Sequence, residues 1–480
     1  MSRHTVAGWG VFVIAAVAAG RVDAQPAKPV LTQAKVDLAA EYREPAERII
    51  RAVRQGNDAW KKLEELCDDV GHRISGSEAL DYALAWAKRT FEADGQENVR
   101  LEKVMVPKWV RGRESLVMVK PRVEQLSILG VGGSDGTPAE GITAPVLVVA
   151  NEEELKAAGD KAKGKIVLFN NPMPPFDAAH NHTGYGTTVK YRGIGSELTA
   201  AQGGVACLVR SVTARSLRSP HTGAMRHKDK KTVPTAAVSI EDAEMLARMA
   251  ARGKEVVVTL KMEAKTEPDV PSANVIAELR GREKPDEIVV IGGHIDSWDV
   301  GQGAHDDGAG CVMCMEAINV LRKLKLIPRR TIRVVLFTNE ENGLRGGMAY
   351  AKDHEAEMGK HVAAIESDTG AFRPLGFSVQ HQDDARANRA AERLQAVLPL
   401  LAPLGSDRIR TGHGGADISP MEDHGVLLMG LELDGSSYFD YHHTHADTLD
   451  KVDPKLLSDD VAAMAIMAYI LADMPERPGE

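Results

Sequence analysis

Residues 288–296 read IVVIGGHID, an apolar run that ends abruptly in glycines, a histidine and an acid. Four consecutive β-branched residues bounded by turn residues are typical of a buried strand. Further strand-like and helix-like runs alternate with it: strands at 274–279, 331–338, 362–365 and 426–433, and helices at 310–326, 385–398 and 454–471. This alternation predicts an α/β sandwich built on a mostly parallel sheet.

The strand ends carry side chains that can bind metal ions. In an open α/β sheet, ligands gather at the carboxyl ends of the strands. The candidates there are His294, Asp296, Glu340, Glu341, Asp368 and His443, together with Asp306 or Asp307 in a loop that opens a helix. A single residue of this kind is weak evidence for a metal site. Because all of these residues are expected at the same edge of the sheet, they predict one shared site. Imidazole and carboxylate ligands without Cys suit zinc-type ions in an open, catalytic site.

A site of this composition is typical of metal-assisted hydrolysis. Two ions that share one bridging carboxylate lie about 3.5–4 Å apart, polarise a carbonyl group and lower the pKa of the water between them. A nearby carboxylate can then act as the general base.

The rest of the chain divides into segments of different character. Residues 1–24 combine an apolar stretch with an A-x-A-like motif ending at Ala24, which predicts a signal peptide and a secreted or periplasmic protein. An uncleaved N-terminal anchor is the alternative. Residues 25–98 show helical periodicity, residues 99–267 contain short β-type runs between Gly- and Pro-rich turns, and residues 268–480 alternate strand-like and helix-like runs and carry the candidate ligands. No other stretch resembles a membrane span, so we expect no stable membrane insertion.

Composition argues against two other classes of function. The formal net charge is −9, which gives no basic field that would attract nucleic acid. Cys311 and Cys314 form a C-x-x-C pattern, but they lie within an apolar helical run. We therefore interpret them as packed thiols rather than as a redox or metal pair.

Residues 268–480 resemble peptidase family M28, which contains zinc aminopeptidases and carboxypeptidases. The resemblance implies that these residues form the catalytic domain, with residues 25–98 as its N-terminal helical part. Five motifs carry the resemblance in the family's order: residues 293–297 (GHIDS), 306–310 (DDGAG), 339–343 (NEENG), 367–368 (SD) and 443–448 (HTHADT). Residues 163–168, 200–206 and 233–239 resemble the protease-associated domain. The resemblance thus implies a mainly-β insert at 99–267, which serves as a lid or docking module in such families.

The resemblance also implies a role for each matching position. It implies two zinc ions held by His294, Asp306, Glu341, Asp368 and His443, with Asp306 as the bridging carboxylate. Asp307 is the alternative bridge. Glu340 corresponds to the general base, and Asp296 to the acid whose carboxylate orients His294.

Two residues near the expected cleft have open assignments. His442 occupies the position where many relatives have a Tyr that stabilises the oxyanion, so His442 either donates a hydrogen bond to the substrate or simply packs. Asp417, in the glycine-rich segment 411–417, either binds a substrate ammonium group or caps a helix.

Together these features predict an exported, two-zinc exopeptidase that acts on dipeptides or short peptides. The resemblance further implies a homodimer. A broad-specificity aminopeptidase is one alternative. Glutaminyl cyclases share the fold with one zinc, and transferrin receptors keep it as a non-catalytic binding module. Metal stoichiometry and a metal-dependent peptidase assay distinguish these alternatives.

Overall fold

The computed structural model describes residues 37–226 and 230–480, so the predicted signal peptide lies outside the described residues. Within the described part, the chain forms two sheets of eight strands each. The strands are β1 (Glu97–Val110), β2 (Glu114–Lys120), β3 (Glu124–Leu126), β4 (Ile128–Gly130), β5 (Ile142–Val149), β6 (Ile166–Phe169), β7 (Ala206–Arg210), β8 (Thr235–Val238), β9 (Val257–Met262), β10 (Lys265–Leu279), β11 (Lys284–His294), β12 (Arg330–Phe337), β13 (His361–Glu366), β14 (Pro374–Gln380), β15 (Arg408–Thr411) and β16 (Leu427–Leu433).

Helices accompany both sheets, and short 3₁₀ turns connect several of them. The α-helices are α1 (Leu38–Gln55), α2 (Ala59–Glu64), α3 (Glu78–Ala93), α4 (Glu152–Ala158), α5 (Tyr185–Thr188), α6 (Lys190–Ala201), α7 (Ile240–Ala251), α8 (Ala309–Lys323), α9 (Arg345–Asp353), α10 (Asp384–Leu394), α11 (Leu398–Leu401), α12 (Tyr438–Tyr441) and α13 (Pro454–Asp473). In the described part of the chain, no helix combines the length and apolarity needed to cross a bilayer.

The first sheet has the order β1-β10-β12-β11-β13-β16-β14-β15. Its centre, β12-β11-β13-β16, is parallel, and the pairs β1–β10, β10–β12 and β16–β14 are antiparallel. His294 pairs with Phe337, and Gly292 pairs with Glu366. The carboxyl ends of the three neighbouring strands therefore meet at one edge of the sheet.

Strand β11 shows how this sheet is covered on both faces. Val289 and Ile291 belong to the core that contains α8 and α13, whereas Val290 belongs to a smaller core that includes Tyr350 of α9. Successive side chains of a strand point to opposite faces. Burial on both faces explains why the strand reads as a continuous apolar run rather than as an alternating pattern.

The second sheet lies within residues 114–262, which we call the second-sheet module, and has the order β3-β2-β9-β5-β6-β7-β8-β4. The expectation of a mainly-β insert needs correction, because helices α4 to α7 lie between its strands. Strands β5 to β8 pair in parallel, and parallel neighbours need long crossover connections, which helices usually provide. The module is therefore mixed α/β.

The core of the second-sheet module continues into the loop that follows β11. Trp298 and Val300, which follow β11, are buried in that core, and Trp298 contacts Trp109 edge to face with ring centroids 6.4 Å apart. The four cysteines are free and buried, so Cys311 and Cys314 are packed thiols as expected. The loop after β11 thus joins the two sheets at the point where the candidate site begins.

Candidate metal centre

His294, at the end of β11, lies between two carboxylates. Its Nε2 is 3.3 Å from Asp306 Oδ1 and 3.2 Å from Asp368 Oδ1. The His294 side chain is fully buried, whereas 28% of the Asp368 side chain is exposed. One nitrogen and two oxygen donors thus converge beside an opening to solvent, an arrangement that can hold a divalent cation.

His443 forms a second group with the other oxygen of Asp306. Its Nε2 is 3.2 Å from Asp306 Oδ2 and 3.0 Å from Glu341 Oε2. Asp306 therefore presents one carboxylate oxygen to each histidine. The structure brings together the five side chains that the sequence proposed as ligands, with Asp306 in the middle.

Asp307 has a different environment from its neighbour. Its Oδ2 accepts a hydrogen bond from the amide of His294 at 3.0 Å, and its Oδ1 accepts one from the amide of Gly310 at 3.1 Å. Both oxygens of the Asp307 carboxylate therefore bind backbone amides. Of the two adjacent acids, Asp306 is the one that faces both histidines.

Asp447 holds Asp306 in place, a role that the sequence reasoning missed. The two Asp447 oxygens accept hydrogen bonds from the amides of His305 and Asp306, at 2.8 and 3.1 Å. Burial raises the pKa of Asp447 to about 7. The signal was available, because this acid lies four residues after His443 in the last motif.

Asp296 supports both His294 and Glu340, through different atoms. The imidazole Nδ1 of His294 donates to the Asp296 carbonyl oxygen at 3.0 Å, whereas the Asp296 carboxylate is 3.9 Å from that nitrogen. The expected carboxylate–imidazole contact is thus replaced by a backbone contact. The carboxylate instead accepts hydrogen bonds from the amide of Glu340 at 3.1 Å and from the hydroxyl of Ser75 at 3.2 Å.

Electrostatic conditions at the centre favour binding of a cation. Burial, followed by the charges of Asp368 and Glu341, raises the pKa of Glu340 well above its ordinary value, against an opposing effect of His294. Burial and the Asp306 carboxylate raise the pKa of Glu341 to about 7. Crowded buried carboxylates repel one another, and a bound cation would relieve that repulsion.

The residues present fit a metal such as zinc. Asp306 Oδ2 is buried and makes no hydrogen bond within the described residues, although an imidazole nitrogen lies 3.2 Å away. A buried oxygen without a partner costs free energy unless something else satisfies it. Because nitrogen and oxygen donors converge around it, a borderline cation such as zinc matches the site.

His442 lies beside Asp306 and His443. Its ring stacks on that of His443 with centroids 3.5 Å apart, and its Nε2 is 3.8 Å from Asp306 Oδ2. Burial and the neighbouring His443 hold the pKa of His442 well below its ordinary range. A neutral imidazole here can donate to, or accept from, a group bound at the centre.

Asp417 belongs to neither of the two donor groups and is fully buried. Its two carboxylate oxygens have no hydrogen-bond partner within the described residues. Glu366 accepts hydrogen bonds from the amides of Ala416 and Ile418 on either side of it, both at 3.0 Å. Asp417 caps no helix, because the 3₁₀ turn Ser419–His424 follows Ile418. Its ammonium-binding role stays a prediction.

A cavity of about 530 Å³ borders the centre at Asp368. Its wall combines Glu366 and Arg410 of the first sheet and Tyr438 of α12 with Asn181 and Tyr185 of the second-sheet module. The cavity therefore lies between the first sheet and the second-sheet module and reaches the candidate ligand Asp368.

Comparison with known proteins identifies the class. Residues 274–469 match the family model described as peptidase family M28. A relative is 42% identical over 441 residues, which cover 91% of this chain and 91% of the relative. The chain therefore belongs to peptidase family M28, and its class is that of a metallo-exopeptidase.

That relative is carboxypeptidase Q of Mus musculus, and carboxypeptidase Q of Homo sapiens is 41% identical over 88% of this chain and 86% of its own length. A solved structure of a peptidase M28 precursor from Shewanella amazonensis covers 92% of this chain and 99% of its own, with a TM-score of 0.86 and 36% identity. The zinc aminopeptidase BSAP of Bacillus subtilis covers 88% and 96%, with a TM-score of 0.62 and 19% identity, and shares the fold. The family predicted from the motifs is confirmed.

Proposed function

We propose that this chain is an exported exopeptidase that hydrolyses dipeptides or short peptides with two zinc ions. The observation that carries the proposal is the position of Asp306, which presents Oδ1 to His294 and Oδ2 to His443. A carboxylate shared in this way suits a bridge between two cations. His294 and Asp368 would hold one ion, and Glu341 and His443 the other.

The chemistry divides between the ions and the protein. Bound zinc ions would polarise the scissile carbonyl group and lower the pKa of the attacking water. Glu340 takes the proton from that water and returns it to the leaving amine, so the peptide bond breaks and one carboxylic acid and one amine form. Asp296 keeps the Glu340 backbone in place through its amide. We infer that His442 donates a hydrogen bond to the oxyanion.

The shape of the cavity supports small substrates. Asn181 and Tyr185 of the second-sheet module form part of its wall, so the space next to Asp368 is covered on that side. A folded polypeptide does not enter such a space, whereas a dipeptide or a free chain end does. Tyr438 offers an aromatic surface, and Arg410 offers a positive charge for the carboxylate end of a peptide.

The remaining parts of the proposal concern the whole chain. We infer that residues 99–267 act as an inserted protease-associated domain that covers the cavity, and that residues 1–24 direct export. The topology supports an insert, because β1 and β10, on either side of the second-sheet module, pair with each other in the first sheet. A homodimer is expected from the family.

Metal stoichiometry and substrate blocking test the proposal. We expect two zinc ions per chain, dipeptide hydrolysis that stops after exhaustive chelation, and recovery when zinc is added. Full activity of the metal-free chain would refute the metal centre. One ion per chain with cyclisation of N-terminal glutamine would identify a glutaminyl cyclase instead. N-blocked and C-amidated peptides would show which peptide end the enzyme reads.

A further inference from the structure

The side of His443 that faces away from Asp306 is held by the second-sheet module. His443 Nδ1 donates to the carbonyl oxygen of Thr222 at 3.2 Å, and the amide of Thr222 donates to the carbonyl oxygen of His443 at 3.0 Å. One residue of the module thus contacts both the ring and the backbone of this candidate ligand. The two residues are 221 positions apart in the chain.

A buried arginine of the same module fixes the Thr222 carbonyl. Arg192, on α6, donates from Nη1 to that oxygen at 3.2 Å and from Nη2 to the Tyr185 hydroxyl at 2.5 Å. Nη1 also lies 3.4 Å from His443 Nδ1. A Cβ atom at Gly223 would lie 2.3 Å from Arg192 Cζ, so only glycine lets the backbone pack on the guanidinium there.

Thr222 is also anchored through its side chain. Its hydroxyl donates to the Gly130 carbonyl at 2.7 Å and accepts from Arg111 Nη2 at 3.3 Å. Arg111 in turn forms a two-point ion pair with Asp299, in the loop after β11, at 2.5 and 2.8 Å. The carbonyl that meets His443 therefore has a fixed position relative to both sheets.

We propose that Arg192 and Thr222 are positioning residues for His443 and make the second-sheet module a working part of the metal centre. The Thr222 carbonyl oxygen can only accept a hydrogen bond, so its contact with His443 places the ring hydrogen on Nδ1 and leaves Nε2, aimed at Asp306 and Glu341, without one. Fixing the tautomer and ring plane of a histidine ligand in this way raises its affinity for the metal. The inference rests on the proposed function, because it takes His443 as a metal ligand.

The test compares three variants of the full-length, zinc-loaded chain. Arg192→Met removes the contact to Thr222, and Arg192→Lys keeps the charge but loses the planar fork that joins Thr222 to Tyr185. Arg210→Met is the matched control, because Arg210 of the same module bonds Asn170 and Glu244 and makes no contact with His443. Zinc affinity is measured by competition with a chromogenic chelator, and the ligand geometry by the visible spectrum of the Co²⁺-substituted protein.

We expect Arg192→Met to weaken one of the two zinc sites by about 10–100-fold and to change the Co²⁺ spectrum. Arg192→Lys should weaken the same site, and Arg210→Met should leave both affinities and the spectrum unchanged. Unchanged affinities and an unchanged spectrum in Arg192→Met would overturn the inference. If Arg192→Met does not fold, the same result in Arg192→Lys decides against it. A wild-type chain that binds no zinc would instead overturn the proposed function.

Discussion

Exchange of Glu340 for Gln tests the proposed chemistry with the least structural change, because it removes a charge and almost no volume. Glu340 follows β12, and Asp296 holds its amide at 3.1 Å. Burial and the charges of Asp368 and Glu341 raise the pKa of Glu340 well above its ordinary value. A glutamine keeps the backbone contact, but its amide cannot take a proton from water.

The expected loss of rate follows from this single missing function. A positioned general base contributes about 10²–10⁴ in rate, which equals about 2.7–5.4 kcal/mol of activation free energy. Zinc binding should persist, because the five proposed ligands are unchanged. In the metal-free protein, the variant should be at least as resistant to unfolding as the wild type, because one of several crowded carboxylates has lost its charge.

The assay measures kcat on dipeptides together with zinc content per chain. Glu355→Gln is the matched control, since Glu355 is an exposed glutamate of the same region. A Glu340→Gln protein with near-normal kcat and two zinc ions would refute the general-base role. Simultaneous loss of zinc and activity would show that Glu340 acts as a ligand instead.

Two further predictions concern the metal-free centre. Zinc affinity should fall as the pH is lowered from about 8 to about 5, because bound metal displaces protons from its ligands. Glu341 and Asp306 raise the pKa of His443 to about 10, against the effect of burial. Burial and Asp306 raise the pKa of Glu341 to about 7. The decrease in zinc affinity should therefore become steeper below neutral pH. A pH-independent zinc titration would contradict this. Asp447→Asn should lower the free energy of unfolding by about 1–3 kcal/mol, because an amide of His305 or Asp306 loses its acceptor. An unchanged midpoint in denaturant would count against that role.

The centre of the first sheet could be predicted from the sequence because its strands carry local signals. In β11, β-branched residues buried on both faces end directly in Gly292, Gly293 and His294, so the strand and the site residue share one short segment. The same holds where β12 leads to Glu340 and β13 leads to Asp368. Because parallel strands have their carboxyl ends at the same edge of the sheet, predicting the strands was enough to predict that these residues lie close together.

Other features had no comparable signal. β1 is an edge strand that contains Pro107 and mixes charged with apolar residues, so it lacks a clean alternating pattern. Helix α6 contains Gly193 and Gly195. Because glycine lowers helix propensity and is common in turns, the sequence of this segment does not predict a helix. The contact between Thr222 and His443 joins distant segments and uses a backbone carbonyl, which every residue has. The types of residue in the sequence therefore could not predict this contact.

The position of the second-sheet module within the chain has a consequence for protein synthesis. Strands β2 to β9 leave the ribosome before β11 to β16, whereas α1 and β1 emerge first and pack against α13 and β10, which emerge later. Domains generally fold as units during translation. The nascent chain can therefore begin to form the second sheet before α13 is synthesised. Until α13 is available, the apolar face of α1 lacks this partner helix. Chaperone protection of that early helix would matter most during this interval.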